Sequence, residues 1–172
     1  MTAVRKALLP GLILILALFF ASHTQAGEYQ VNRVIDGDPI EVMKGAVKLT
    51  VRLVGIDAPE VSHKKHEPGQ PFSQQSTKYL AKLALNRSAD VKSYGADRYG
   101  RVLGEVFVDG NNVNLEMVRA GLAEVYRGTP AQGQDLGQYR KAEEEARKAG
   151  NGMWVQGDKY ISPREWRRTN GN

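Results

Sequence analysis

The chain has 172 residues, 41% of them hydrophobic and 25% charged, which suits one ordinary globular domain with a real core and leaves little room for a second. It contains no cysteine, which excludes disulfides, thiolate metal sites and a cysteine-borne lipid anchor. A net charge of +5 permits a nucleic-acid partner without demanding one.

At the N-terminus, Arg5 and Lys6 precede an almost wholly apolar run from Ala7 to Ala21, and Thr24-Gln25-Ala26 has the small-x-small form of a cleavage site. The run falls short of the roughly 17 residues that span a bilayer, and Pro10 and Gly11 shorten its regular part further. Residues 1–26 are therefore expected to be a cleaved secretory signal rather than a retained anchor, placing the mature chain outside the cytoplasm, secreted or periplasmic. Loss of Arg5 and Lys6 leaves 22 basic against 19 acidic residues, a mild excess of +3.

The mature chain opens with YQVNRVI, β-branched and alternating, which reads as a first strand. Asp36-Gly37-Asp38 is its turn, Pro39 to Met43 a second strand, and Lys44-Gly45 a hairpin turn into Val47–Val54. Alternation of Val47, Leu49, Val51 and Leu53 marks one buried face, with Arg52 pointing the other way. Val61 to Phe72 carries two prolines and a glycine without apolar periodicity and reads as an exposed loop. A metal reading of His63 and His66 competes there with a solvated basic loop, and the neighbouring Lys64 and Lys65 favour the latter. Ser73 to Asn86 has helical spacing, with Ser73 as its expected cap. Strands Ala89–Tyr94 and Val102–Val108 flank the bend Gly95-Ala96-Asp97-Arg98-Tyr99-Gly100-Arg101, which reads either as a charged hairpin tip or as a place where a phosphate and a base are gripped together. Asn114–Ala120 is a short helix ended by Gly121, and Leu122–Tyr126 is extended. Asp135–Ala149 is a third helix with Leu136, Tyr139, Ala142 and Ala146 on one side and Gly150 as its stop. Trp154 is expected in the core. The tail holds Lys159, Arg164, Trp166, Arg167 and Arg168, a basic nucleic-acid contact or a loose end. Five strands with three helices in this order fit an α+β fold built on a small closed barrel of the oligonucleotide-binding type.

The stretch from Val34 to Glu60 concentrates the chemistry. Asp36, Asp38, Asp57 and Glu60 are carboxylates in turns, and Arg52 lies between them on a strand. Such carboxylates repel one another unless a cation neutralises them, and an all-oxygen set suits a hard ion such as calcium or magnesium. A guanidinium beside a metal site is shaped to grip two phosphate oxygens. Metal-assisted phosphodiester chemistry follows from this reading; two solvated polar turns are the alternative.

VIDGD, VRLVGIDAPE, DRYGR and VNLEMVRAGLAEVY, in that order, resemble the staphylococcal nuclease (thermonuclease) family over about Tyr29 to Trp154. The resemblance implies a five-stranded oligonucleotide-binding barrel with three helices that hydrolyses DNA, single- or double-stranded, and RNA with calcium (Ca2+), leaving 3′-phosphate ends. By motif it implies Asp38 and Asp57 as metal carboxylates with the Ala58 carbonyl as a further ligand, Arg52 and Arg101 on the phosphate, and Glu60 acting on the attacking water. It places Tyr99, with Arg98 beside it, against the nucleotide. Asp36 either supports the metal carboxylates or only shapes its turn. Two departures stand out: Pro39 occupies the position where the family usually has threonine after DGD, and Ala58 another threonine position. The expected organisation is a signal at 1–26, a nuclease domain at 27–156 and a basic tail at 157–172, acting as a monomer without a stable protein partner. A non-catalytic oligonucleotide-binding module is the competing expectation. A calcium-stabilised structural domain fits less well, since Ile40 cannot supply the oxygen that a helix-loop-helix calcium loop needs two residues after Asp38.

Overall fold

Strict alternation sets the first sheet. In β1 (Tyr29–Val34), β2 (Pro39–Lys44) and β3 (Val47–Leu53), the residues Val31, Ile40, Val42, Val51 and Leu53 are wholly buried. The three strands form an antiparallel meander with Ile40 opposite Val51 and Val42 opposite Leu49. The structure is a computed structural model and describes residues 28–62, 64 and 66–170. The expected signal at 1–26, and His63 and Lys65 of the basic loop, lie outside the described residues.

After the short β4 (Ile56–Asp57) and helix α1 (Ser73–Ala84), β5 (Ser88–Ala96) returns antiparallel to β1, and β6 (Val102–Val108) folds back on β5. The barrel closes where β6 pairs with β3 in parallel, with Val51 beside Val102 and Leu53 beside Gly104. β7 (Asn111–Asn112) leads into α2 (Val113–Arg119), β8 (Glu124–Val125) pairs with β4, and α3 (Gly137–Ala149) covers one end. A 3-10 segment (Gly152–Lys159) and α4 (Pro163–Asn170) complete the described chain. This is the expected α+β fold on a closed five-stranded barrel, with α4 as a further helix in the basic tail.

Closure needs a polar lock because parallel strands meeting at a seam leave backbone groups to satisfy. Asn114, fully buried in α2, supplies it: its Oδ1 accepts from the Val106 amide at 3.0 Å, and its Nδ2 donates to the carbonyls of Val54 at 2.9 Å and Gly104 at 3.0 Å. One side chain thus ties the end of β3 to β6. A second buried polar group, Glu105, accepts from the hydroxyls of Tyr139 and Tyr94, each at 2.7 Å. Burial pushes the Glu105 carboxyl up, but those two hydroxyls and the Lys92 ammonium outweigh it, and the net shift is below the ordinary value.

Two local expectations are corrected. Val47 is 58% exposed because it sits at the open end of the β2–β3 hairpin, beyond the barrel wall. Ser73 does not cap α1; it is a buried first-turn residue, and the chain enters the helix through Phe72 in a left-handed conformation (φ 70°) with the Ser73 amide donating to the Gln70 carbonyl. Trp154 is buried as expected, but in a smaller cluster with Ala146 and Met153, between the Arg147 guanidinium at 3.7 Å and the Tyr160 ring at 4.6 Å.

Asn114→Ala is expected to destabilise the protein by about 2–4 kcal/mol in urea unfolding, because it strands three buried backbone groups at once. Glu105 contributes stability that is complete above the unfolded carboxylate pKa and is lost as pH falls through its depressed folded value. Thermal unfolding should therefore show a loss of stability below about pH 4 that Glu105→Gln diminishes, the variant being less stable at neutral pH.

Candidate active site

The Asp36–Asp38 loop is pressed onto the helix side of the barrel. A Cβ on Gly37 would lie 2.6 Å from both the Ala58 Cβ and the Ser76 Oγ, so only glycine lets the loop approach this closely. The Asp38 carbonyl accepts from the Leu53 amide at 2.8 Å, which aligns Asp38 with the end of β3. Pro39, at the first position of β2, faces Arg52 as a pair that exchanges no ladder hydrogen bonds, so its missing N–H costs the β2–β3 ladder nothing. The cross-strand pairing puts Arg52 Nη2 3.8 Å from Asp38 Oδ2.

Asp57 and Glu60 arrive from the other direction. Asp57 lies on β4 opposite Glu124 of β8 and is 2% exposed. Glu60 follows Pro59, and its backbone is held at both ends by Gln70, whose Oε1 accepts from the Glu60 amide at 3.0 Å and whose amide donates to the Glu60 carbonyl at 2.8 Å. Ala58, between them, is buried against Gly37. Burial pushes the Asp38 carboxyl up to about 7; the Arg52 charge opposes this, while Asp57, Asp36 and Glu60 push it further up. Four carboxylates therefore share one neighbourhood, and their repulsion is felt at Asp38.

Arg167, from α4, meets two of them. Its Nη1 donates to Asp57 Oδ1 at 2.9 Å and its Nη2 to Asp57 Oδ2 at 2.7 Å, and Nη1 also donates to Glu60 Oε1. Among the described residues no three His, Asp or Glu side chains converge as a ready metal cage. The donor chemistry nonetheless fits a hard divalent cation: oxygen ligands only, with Arg52 and Arg167 too little charge to balance four carboxylates.

Arg101 comes from the β5–β6 bend. Its Nε and Nη2 both lie 2.7 Å from Asp97 Oδ2, and Asp97 Oδ1 accepts from the amides of Tyr99 and Arg101, so one carboxylate shapes the bend and aims the guanidinium. The β3–β6 pairing sets this bend beside the strand that carries Arg52. Tyr99 is 68% exposed at the tip, under Arg98 at 4.8 Å and Arg101 at 5.6 Å from its ring centre, and Arg98 Nη2 donates to its hydroxyl at 2.6 Å.

A cleft of about 340 Å3 opens beside Arg52, with Leu103, Tyr126, Pro130 and Gln134 among its walls. Both amide atoms of Gln134 are buried without a hydrogen-bond partner among the described residues. Sequence reasoning missed Tyr126, Gln70 and Arg167 as site residues. Tyr126 ends a motif already singled out. Arg167 is 110 residues from Asp57, and only the cluster of basic residues around it hinted at a role.

The family model described as "Staphylococcal nuclease homologue" matches residues 50–156. The chain is 36% identical over 165 residues to an uncharacterized endonuclease of Haemophilus influenzae, covering 95% of this chain and 86% of that protein. An uncharacterized endonuclease of Escherichia coli is 39% identical over 145 residues, covering 80% and 83% respectively. The probable endonuclease LCL3 of Clavispora lusitaniae is 37% identical over 126 residues, 70% of this chain but only 54% of that longer protein. The chain belongs to the staphylococcal nuclease family.

Proposed function

We propose that this protein is an exported, calcium-dependent endonuclease that hydrolyses phosphodiester bonds of single- and double-stranded DNA and of RNA with little sequence preference, leaving 3′-phosphate ends. The observation that carries the reading is the shared neighbourhood of Asp38, Asp57 and Glu60, whose charges are felt at Asp38 beside Arg52, with Arg101 at the adjoining bend. Relatives named as endonucleases support the reaction class. The apolar run and small-x-small site before Gly27 support export with the signal removed, and the basic excess of the mature chain suits a polyanionic substrate.

A phosphodiester resists attack because its own negative charge repels a nucleophile. Asp38 and Asp57, with the Ala58 carbonyl, would hold the calcium ion, which when bound supplies charge neutralisation at the phosphoryl oxygens. Arg52 and Arg101 each keep a partly exposed side chain, 30% and 28%, with which to hold the non-bridging oxygens as negative charge accumulates. Glu60, its backbone fixed by Gln70, holds the attacking water and takes its proton. Departure of the 5′ oxygen leaves the phosphate on the 3′ side. The cleft beside Arg52 has apolar walls at Leu103 and Tyr126 for a base, with the Gln134 amide at its edge, while Tyr99 and Arg98 at the bend offer a stacking face to the neighbouring nucleotide. Contacts of this kind read π-faces and backbone rather than base identity, which suits low sequence preference.

Purified protein is expected to release acid-soluble fragments from denatured DNA with calcium and to stop with chelator. Glu60→Ala should lower the rate about a hundred- to ten-thousand-fold while DNA is still bound. DNA binding without cleavage under calcium or magnesium would instead make the chain a non-catalytic oligonucleotide-binding module.

A further inference from the structure

The proposed mechanism has no use for Arg167, although it makes the closest contacts in the site. It comes from α4, beyond the residues that the family model matches. Its fork spans both Asp57 oxygens and reaches Glu60, so it binds one carboxylate assigned to calcium and the one assigned to the attacking water. We infer that Arg167 is an internal cation that competes with the divalent metal for Asp57 and Glu60, so that metal binding requires α4 to leave the site.

Geometry and charge both support exchange rather than coexistence. A guanidinium bound to both oxygens of Asp57 occupies the edge through which that carboxylate would chelate a metal ion. Arg167 brings a single positive charge to a cluster of four carboxylates, whereas a divalent ion brings two and reaches Asp38 as well. Each cation therefore suits one state of the site: the arginine when calcium is scarce, the metal when it is abundant.

The helix is attached in a way that allows this. The chain just before α4 is fastened by contacts that do not involve the two contested carboxylates: the Tyr160 hydroxyl donates to Glu124 at 2.7 Å, and Gln70 Nε2 donates to the Ile161 carbonyl at 2.7 Å. Beyond them, only Pro163 of the helix is buried. With so little apolar burial, docking of α4 depends on the Arg167 fork, and exchange of that fork for a metal would free the helix at Ser162 while Tyr160 and Ile161 stay in place.

This inference rests on the calcium-nuclease reading, and the test separates the two. Calcium affinity of the purified protein would be measured by titration calorimetry for wild type, Arg167→Ala and Arg164→Ala, with amide hydrogen exchange across residues 163–170 with and without calcium. Arg167→Ala is expected to bind calcium about tenfold more tightly, because it no longer loses affinity to a docked majority state. Arg164→Ala, altered at an exposed position of the same helix, should match wild type. Calcium should speed exchange of α4 in wild type, and in Arg167→Ala the helix should exchange fast with or without it. Equal or weaker calcium binding by Arg167→Ala, or an α4 whose protection calcium leaves unchanged, overturns the inference even if the wild type cleaves DNA with calcium. Failure of every variant to bind calcium overturns the calcium reading as well.

Discussion

The parallel pairing of β3 with β6 is the contact on which the rest of the structure depends. It turns an open sheet into a barrel, and it also carries the bend with Arg101 to the strand with Arg52. Neither guanidinium is near the other in sequence, so their juxtaposition comes from closure alone. Closure in turn rests on Asn114, which has no local reason to sit in the middle of the apolar face of α2. Its place is explained by the three backbone groups it satisfies across the seam. Stability and site geometry thus share one buried amide.

The opposing constraint is electrostatic. Gly37 and the β4–β8 pairing force carboxylates together that would separate in a flexible chain, and the raised affinity of Asp38 for a proton records the cost. The fold answers with arginines on three different elements: Arg52 on β3, Arg101 at the β5–β6 bend, where Asp97 holds it, and Arg167 on α4. The first two sit on or beside barrel strands, where packing fixes their position. The third belongs to a helix whose one buried residue is Pro163, with Trp166 and Arg167 half-buried. On the proposed reading, a site built this way would offer two stiff cations to the substrate and one that can be exchanged.

What the sequence revealed follows the range of the interaction. Alternation in β1 to β3 and the helical stripe of Leu136, Tyr139, Ala142 and Ala146 are local patterns, and both are found buried where the pattern put them, apart from exposed Val47 and half-buried Leu49 towards the hairpin end. The DGD turn, Arg52 and Asp57-to-Glu60 lie within one short stretch, so their shared neighbourhood was legible from spacing and strand reversal. Gln70 was not, because nothing in a proline- and glycine-rich loop shows which glutamine will turn inward to hold Glu60. Ser73 looked like a helix cap by residue type, but a left-handed Phe72 does the work of redirecting the chain. Arg167 could be seen only as one of several arginines in a basic tail. The contact it makes is set by tertiary docking and leaves no periodicity to read.

Pro39 shows how a departure from a family pattern can be judged once the register is known. Loss of a hydroxyl and an amide proton next to a candidate ligand carboxylate looks damaging in sequence. In the barrel the β2–β3 ladder loses nothing, because Pro39 and Arg52 form a pair without hydrogen bonds between them, and on the β1 side the Pro39 carbonyl still accepts from Ile35 at 3.0 Å. The ring fixes the backbone at the point where the loop enters β2, so Asp38 leaves a stiffened strand rather than a mobile one. What the substitution removes is the hydroxyl and one amide donor on the β1 side. Asp38, whose carboxyl burial and the neighbouring carboxylates push up against the pull of Arg52, thus has one donor fewer beside it.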